Sequence, residues 1–137
     1  MRFELVAAVS ASLNSYARVM MKERIRQLFT IIDRKDAQGF SSFFTDDAAF
    51  RFANAPCVCG KDNIRKAVSD FFIKIKGLRH HITDVWEFEN VLICEGEVIY
   101  TRLDDKTVTV PFVDIFRTEK DLIADYRIYI DITPLFA

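Results

Sequence analysis

The stretch "CEGEVIYTRLDDKTVTVPFVDIF", Cys94–Phe116, decides how this chain is read. Apolar and polar residues alternate on both sides of Asp104-Asp105. A period of two marks strands, and a short polar break between two such runs marks a hairpin. A two-residue loop at Asp104-Asp105 pairs Leu103 with Lys106. It then sets Glu97 opposite Phe112 and Glu95 opposite Asp114, and cross-strand partners share a face.

The same alternation extends outward. Strands are expected over His80–Phe88, Val91–Leu103, Lys106–Arg117 and Leu122–Ile132, joined by Glu89-Asn90, Asp104-Asp105 and "TEKD". The first hairpin pairs Phe88 with Val91, Trp86 with Ile93, Asp84 with Glu95 and His80 with Ile99. The last sets Phe112 near Arg127 and Val110 near Tyr129. One face then carries His80, Asp84, Trp86, Glu95, Phe112, Asp114, Arg127, Tyr129 and Asp131. The other carries Val85, Leu92, Cys94, Val98, Tyr100, Tyr126, Ile128 and Ile130. Both are too apolar to face water freely, so one covers the helices and one meets a partner chain. Periodicity does not say which. A bulge near Gly96 would exchange the faces along half a strand.

The first half of the chain is helical. Met21, Ile25, Leu28, Phe29 and Ile32 recur at helical spacing, with Lys22, Arg24 and Arg26 outward. Asp36 offers an N-cap for a short second helix ending near "FSSFF". A strand, Ala48–Asn54, precedes the break "APCVCG". A third helix runs from about Asp62 to Lys76, with Gly77 as its C′ glycine. Helices followed by an antiparallel meander make an α+β domain.

At 137 residues the chain is one domain with room for a core. Half its residues are hydrophobic and 13 are Phe, which excludes a disordered chain. A net charge of −1 gives no field for a phosphate backbone, so no nucleic-acid partner is expected. No apolar run approaches the roughly 20 residues of a membrane helix, so no membrane role is expected either. Residues 1–17 read as an N-terminal extension, with a signal peptide as the alternative, and 18–137 as the domain. Cys57, Cys59 and Cys94 suit a reducing compartment, hence the cytoplasm. Cys57 and Cys59 lack the second ligand pair of a zinc site. No metal or cofactor is expected.

"GKDNIRKAVSDFF" (Gly60–Phe72), the hairpin quoted first and "LIADYRIYIDITPLF" (Leu122–Phe136) resemble the SnoaL-like group of the nuclear transport factor 2-like superfamily. Its relatives include polyketide cyclase, ketosteroid isomerase, scytalone dehydratase and limonene-epoxide hydrolase. The resemblance covers about residues 18–137 and implies a cystatin-like cone. About three N-terminal helices would pack on a strongly curved antiparallel sheet, with a pocket between them. It also implies that Arg127, Tyr129 and Asp131 point into that pocket, making their face the concave wall and the other the outer, dimer-forming surface.

Asp131 matches the position of the water-activating aspartate of limonene-epoxide hydrolase, and Asn54 that of its water-positioning asparagine. The tyrosine two residues before that asparagine is Phe52 here. The enzyme's Arg-x-Asp is not matched: Glu95 and Glu97 occupy its place, and Arg102 and Asp104 repeat the letters only at the turn. These losses argue against epoxide hydrolysis.

The catalytic candidates are Asp131, Tyr129 and His80. A carboxylate facing an apolar cavity has its pKa raised toward working pH and can exchange a proton. Tyr129 would bind a ligand oxygen or orient Asp131, and His80 would face the cavity. Asn54, Phe52, Trp86, Glu95, Phe112, Asp114 and Arg127 would line the pocket, with Arg127 pairing Asp114. The expectation is a protein that binds a small apolar or mildly oxygenated molecule. It would work as a cofactor-independent isomerase, cyclase, dehydratase or hydrolase, or as a non-catalytic binding or dimerisation module with a vestigial pocket. A homodimer through the outer sheet face is expected.

Overall fold

The computed structural model describes residues 20–137, so the expected boundary at residue 17 lies outside the described residues. Helix α1 occupies residues 20–33, and α2 is Ala37–Ser41. Strands β1 (Phe44–Phe52) and β2 (Val58–Cys59) precede helix α3 (Lys61–Ile73). Strands β3 (Gly77–Phe88), β4 (Val91–Thr101), β5 (Thr107–Glu119) and β6 (Leu122–Ile130) lead to a last turn of helix, α4 (Thr133–Phe136).

The strands form one mixed sheet in the order β2-β1-β6-β5-β4-β3. Strand β1 runs parallel to β6, and the other pairings are antiparallel. The helices pack on its concave side, as the cystatin-like cone requires. Ile25, Leu28, Phe29 and Ile32 of α1 are buried, as their helical spacing predicts, with Ile64, Val68 and Phe72 of α3. Asp36 caps α2 by accepting the Gly39 N–H at 2.9 Å.

Helix α3 ends three residues before the expected Lys76. The Lys76 N–H bonds the Thr101 carbonyl at 2.9 Å, which draws this segment into the sheet. Gly77 therefore opens β3 rather than closing the helix. The Lys35 ammonium takes over at the helix end, reaching the carbonyls of Phe72 (3.3 Å) and Ile75 (3.1 Å).

The expected register holds in one hairpin half and fails elsewhere. Phe88–Val91, Trp86–Ile93 and Asp84–Glu95 pair as expected. Beyond them Thr83 is an extra residue, and His80 pairs with Val98 instead of Ile99. Gly96 makes this bulge possible, because a Cβ there would run into the His81 carbonyl oxygen. The Thr83 hydroxyl donates to the Glu95 carbonyl at 3.0 Å and holds the irregularity.

The β4–β5 loop has three residues, Leu103 to Asp105, not two. Arg102 N–H bonds Lys106 O, Asp105 N–H bonds Arg102 O, and Asp105 takes φ 68°. This is a turn closed by a left-handed residue, one residue longer than the simplest hairpin. Asp114 consequently pairs with Cys94, not Glu95, and Phe112 with Gly96, not Glu97. Between β5 and β6 a tight turn at Lys120 and a further irregularity by Ala124 pair Phe112 with Ile130, not Arg127. Each odd shift moves a whole strand's residues to the other face.

Candidate functional site

The concave wall therefore carries Leu92, Cys94, Val98 and Tyr100 from β4, together with Val110, Phe112, Asp114 and Phe116 from β5. Strand β6 adds Tyr126, Ile128 and Ile130. Between this wall and the helices lies a cavity of about 280 Å³. Its apolar lining includes Phe40, Phe50, Phe52, Phe71, Phe72, Phe112 and Ile128. Asp114, Tyr126, Tyr100 and His80 supply its inner polar groups.

Asp114 is the most unusual of these, with only 1% of its surface exposed. Strand β5 forces it inward, because Phe112 and Phe116 on either side at period two are core residues. The Tyr126 hydroxyl donates to its Oδ2 at 2.7 Å, while Oδ1 has no partner among the described residues. Burial pushes the Asp114 carboxyl up to about 8, the Tyr126 bond opposing only part of that. Asp114 is therefore a neutral acid at pH 7. With Oδ2 taken as acceptor by Tyr126, the acid proton belongs on Oδ1. The neighbouring groups are pushed the same way. Burial, with Asp114 adding to it, raises the Cys94 thiol to about 12 and the Tyr126 hydroxyl well above its ordinary range.

His80 enters the wall from β3, where the bulge absorbs the extra residue Thr83 and leaves His80 paired with Val98. Asp33, at the end of α1, holds it twice: Oδ2 accepts the His80 backbone N–H at 3.1 Å, and Oδ1 lies 2.6 Å from Nδ1. A carboxylate only accepts, so Nδ1 carries a proton and Nε2 is the nitrogen left for a ligand. Phe29 and Phe112 flank the ring, with centroids at 4.9 and 5.4 Å, and fix its plane.

Four of the residues expected at the pocket are there: His80, Phe52, Phe112 and Asp114. Six are not. Arg127, Tyr129 and Asp131 lie on the outer side of β6 or just beyond it, because the odd register shift turns them away. Tyr129 is 55% exposed. Arg127 pairs with Asp125 at 3.1 Å rather than with Asp114. Asp131 accepts the Thr133 N–H at 3.0 Å at the start of α4. Thr133, through its hydroxyl and its backbone N–H, holds the Asp131 carboxyl below its ordinary value, the reverse of the rise a pocket acid needs. Trp86 and Glu95 stand on the outer face, and Asn54 is exposed in the turn after β1. Three polar residues of the site fall outside the sequence expectation. The alternation sets Tyr100 and Tyr126 on the opposite face, and Asp33, 47 positions from His80, has no local signature.

Among the described residues no cluster of three or more His, Cys, Asp or Glu is arranged to hold a metal ion. No described helix is long and apolar enough to cross a membrane.

The SnoaL-like domain family matches residues 25–126, most of the chain. The chain belongs to that family. No match is found among curated proteins. Solved structures agree in fold. An NTF2-like protein of unknown function from Burkholderia pseudomallei is 16% identical with a TM-score of 0.77, over 85% of this chain and 98% of that one. TerC, crystallised with polyporic acid, is 16% identical with a TM-score of 0.74, over 83% of this chain and 93% of that one. A proposed SnoaL-like polyketide cyclase from a Jannaschia species is 15% identical with a TM-score of 0.71, over 85% and 88%. At such identities the likeness concerns this SnoaL-like domain's fold alone.

Proposed function

We propose that this SnoaL-like protein binds a neutral, mostly apolar molecule with an oxygen acceptor, and moves a proton on it without a cofactor. The carrying observation is Oδ1 of the buried Asp114, without a partner among the described residues, at the wall of an apolar cavity. A neutral carboxylic acid there donates a hydrogen bond to a ligand carbonyl, and strengthens it as negative charge grows on that oxygen. His80 Nε2, with Asp33 stabilising the imidazolium, is the base. It removes a proton from the carbon beside the carbonyl. The electron pair of that C–H bond becomes the enol double bond, and the carbonyl pair moves onto the oxygen held by Asp114. Where the deprotonated carbon also borders a carbon–carbon double bond, the enolate is a dienolate. The oxygen pair then re-forms the carbonyl, the double bond shifts into conjugation, and the far carbon takes the proton back from His80, which completes an isomerisation. The cavity holds about nine water volumes, enough for a ligand of one or two rings.

The test uses acetophenone and acetonaphthone in D2O. Calorimetry reads binding, and NMR reads deuterium entering the methyl group. Binding with accelerated exchange, lost in His80→Gln and in Asp114→Leu, supports proton transfer. Binding with exchange at the solvent rate leaves a binding module and removes the catalytic reading. Binding unaffected by Asp114→Leu removes Asp114 from the site.

We further propose that the outer sheet face pairs two copies of the chain. Trp86, Ile93, Ile115 and Tyr129 give it an apolar centre. Glu95, Glu97, Arg117 and Arg127 surround that centre with both charge signs, so two identical faces meet without net repulsion. Three free thiols, Cys57, Cys59 and Cys94, favour the cytoplasm as its compartment.

A further inference from the structure

The cavity reaches solvent through a rim. Five of its lining residues are themselves exposed: Ala55 and Pro56 from the β1–β2 turn, Asp70 in the last turn of α3 and Lys74 just after it, and Phe136 of α4. Phe136 is the large apolar one, and half of it stands in water (53%) although it faces an apolar cavity. A helix of four residues has no stability of its own. Its position is imposed from outside, at three points. Asp131 accepts the Thr133 N–H at its start. Leu135, 3% exposed, anchors its middle in the core. Arg102 closes its end, where Nη1 donates to the carbonyls of Pro134 at 3.0 Å and Ala137 at 2.8 Å. A guanidinium on the last carbonyls of a helix is a favourable arrangement. Arg102 is itself held by Asp104 across the β4–β5 turn, at 3.2 Å.

We infer that Phe136 sets the size of molecule admitted to the cavity, and that Arg102 is the positioning residue that keeps α4, and with it Phe136, over the mouth. The inference rests on the cavity being the ligand site, but not on Asp114 acting as an acid. It assigns Asp131 a part in the cap in place of a part in chemistry. It also explains why Arg102 and Asp104 stand together at a turn far from the acid.

The test needs no ligand. Cys57 and Cys59 are replaced by serine, and Val98, fully buried on the cavity wall, becomes cysteine. A matched protein that retains Val98 corrects for Cys94. Labelling by methyl methanethiolsulfonate is compared with labelling by its benzyl analogue. Phe136→Ala and Arg102→Ala should each speed the benzyl reagent about tenfold while changing the methyl reagent less than about threefold. Arg102→Lys, which keeps the charge but not the two-carbonyl geometry, should fall between. Equal acceleration of both reagents would mean general loosening, and no acceleration would mean another entrance. Either overturns the inference. Because Asp114 is untouched throughout, such a failure stays distinct from failure of the acid reading, which the ketone experiment decides.

Discussion

The Tyr126 hydroxyl donates a hydrogen bond to Oδ2 of Asp114 at 2.7 Å, and the other oxygen of that carboxyl has no partner among the described residues. An acid so placed binds its proton more tightly in the folded chain than in the unfolded one. Between its ordinary value of 3.8 and about 8, the native state therefore holds a proton that the unfolded state has released. Stability from this group is fully present below about pH 4 and falls as pH rises, by about 1.4 kcal/mol per unit, until about pH 8. Asp114→Asn keeps the shape of the neutral acid and does not titrate. Urea unfolding at pH 5 and pH 8 should show the wild type losing stability between them and the variant losing much less. Equal losses in both would mean that Asp114 is ionised throughout.

Tyr126→Phe removes the hydroxyl donor on Oδ2 without opening space. A buried acceptor left unpaired costs about 1–3 kcal/mol, and that loss should appear in chemical denaturation. Since the Tyr126 bond favours the carboxylate, its loss should also move the Asp114 titration upward from about 8. Carboxyl-carbon NMR reads that shift directly.

Gly96→Ala places a methyl against the His81 carbonyl, which is backbone and cannot swing aside. The variant should lose about 2 kcal/mol or more. It should also weaken the ketone binding, because the strand that carries His80 is displaced. A variant as stable as the parent would mean that the bulge relaxes at no cost.

Asp131→Asn should lower the melting temperature only slightly and leave acetophenone affinity and deuterium exchange unchanged, since Asp131 serves Thr133 outside the cavity. Loss of exchange with binding intact would return Asp131 to the chemistry.

Trp86→Arg places a charge at the centre of the outer face, where half of the indole is exposed in one copy. Sedimentation at micromolar concentration should show a dimer for the parent and a monomer for the variant. A monomeric parent ends the pairing proposal.

The elements of this fold were legible because their periods are long and clean. The stripe from Ile25 to Ile32 and the alternation from Val91 to Phe116 survive any local detail. The wall was not legible, because parity depends on single residues. The two-residue loop expected at Glu89-Asn90 is the one the chain forms, with Phe88 paired to Val91. At Leu103–Asp105 the third loop residue depends on Asp105 taking φ 68°, a conformation that "DD" does not announce as "DG" would. That one residue turned β4 against β5, and the next shift sent Arg127 and Tyr129 outward, with Asp131 beyond them, while Tyr126, Ile128 and Ile130 came inward. The acid itself had a usable signal. Asp114 was the lone charge between Phe112 and Phe116 on one strand face, whatever lay across from it. Asp33 had none, because its pairing with His80 exists only after the helix has docked on the sheet.

The extra residue at Thr83 has a consequence for how such a chain can change. Ile82 already pairs with Gly96 and Asp84 with Glu95, so deletion of Thr83 would preserve every cross-strand partner. His80 would still point inward and Trp86 outward. What would go is the local coil of the strand, since a bulge bends and twists its edge. The insertion thus governs the shape of the vessel and leaves its contents alone. Descendants of this sequence can deepen or flatten the bowl by one codon without rewriting the chemistry inside it.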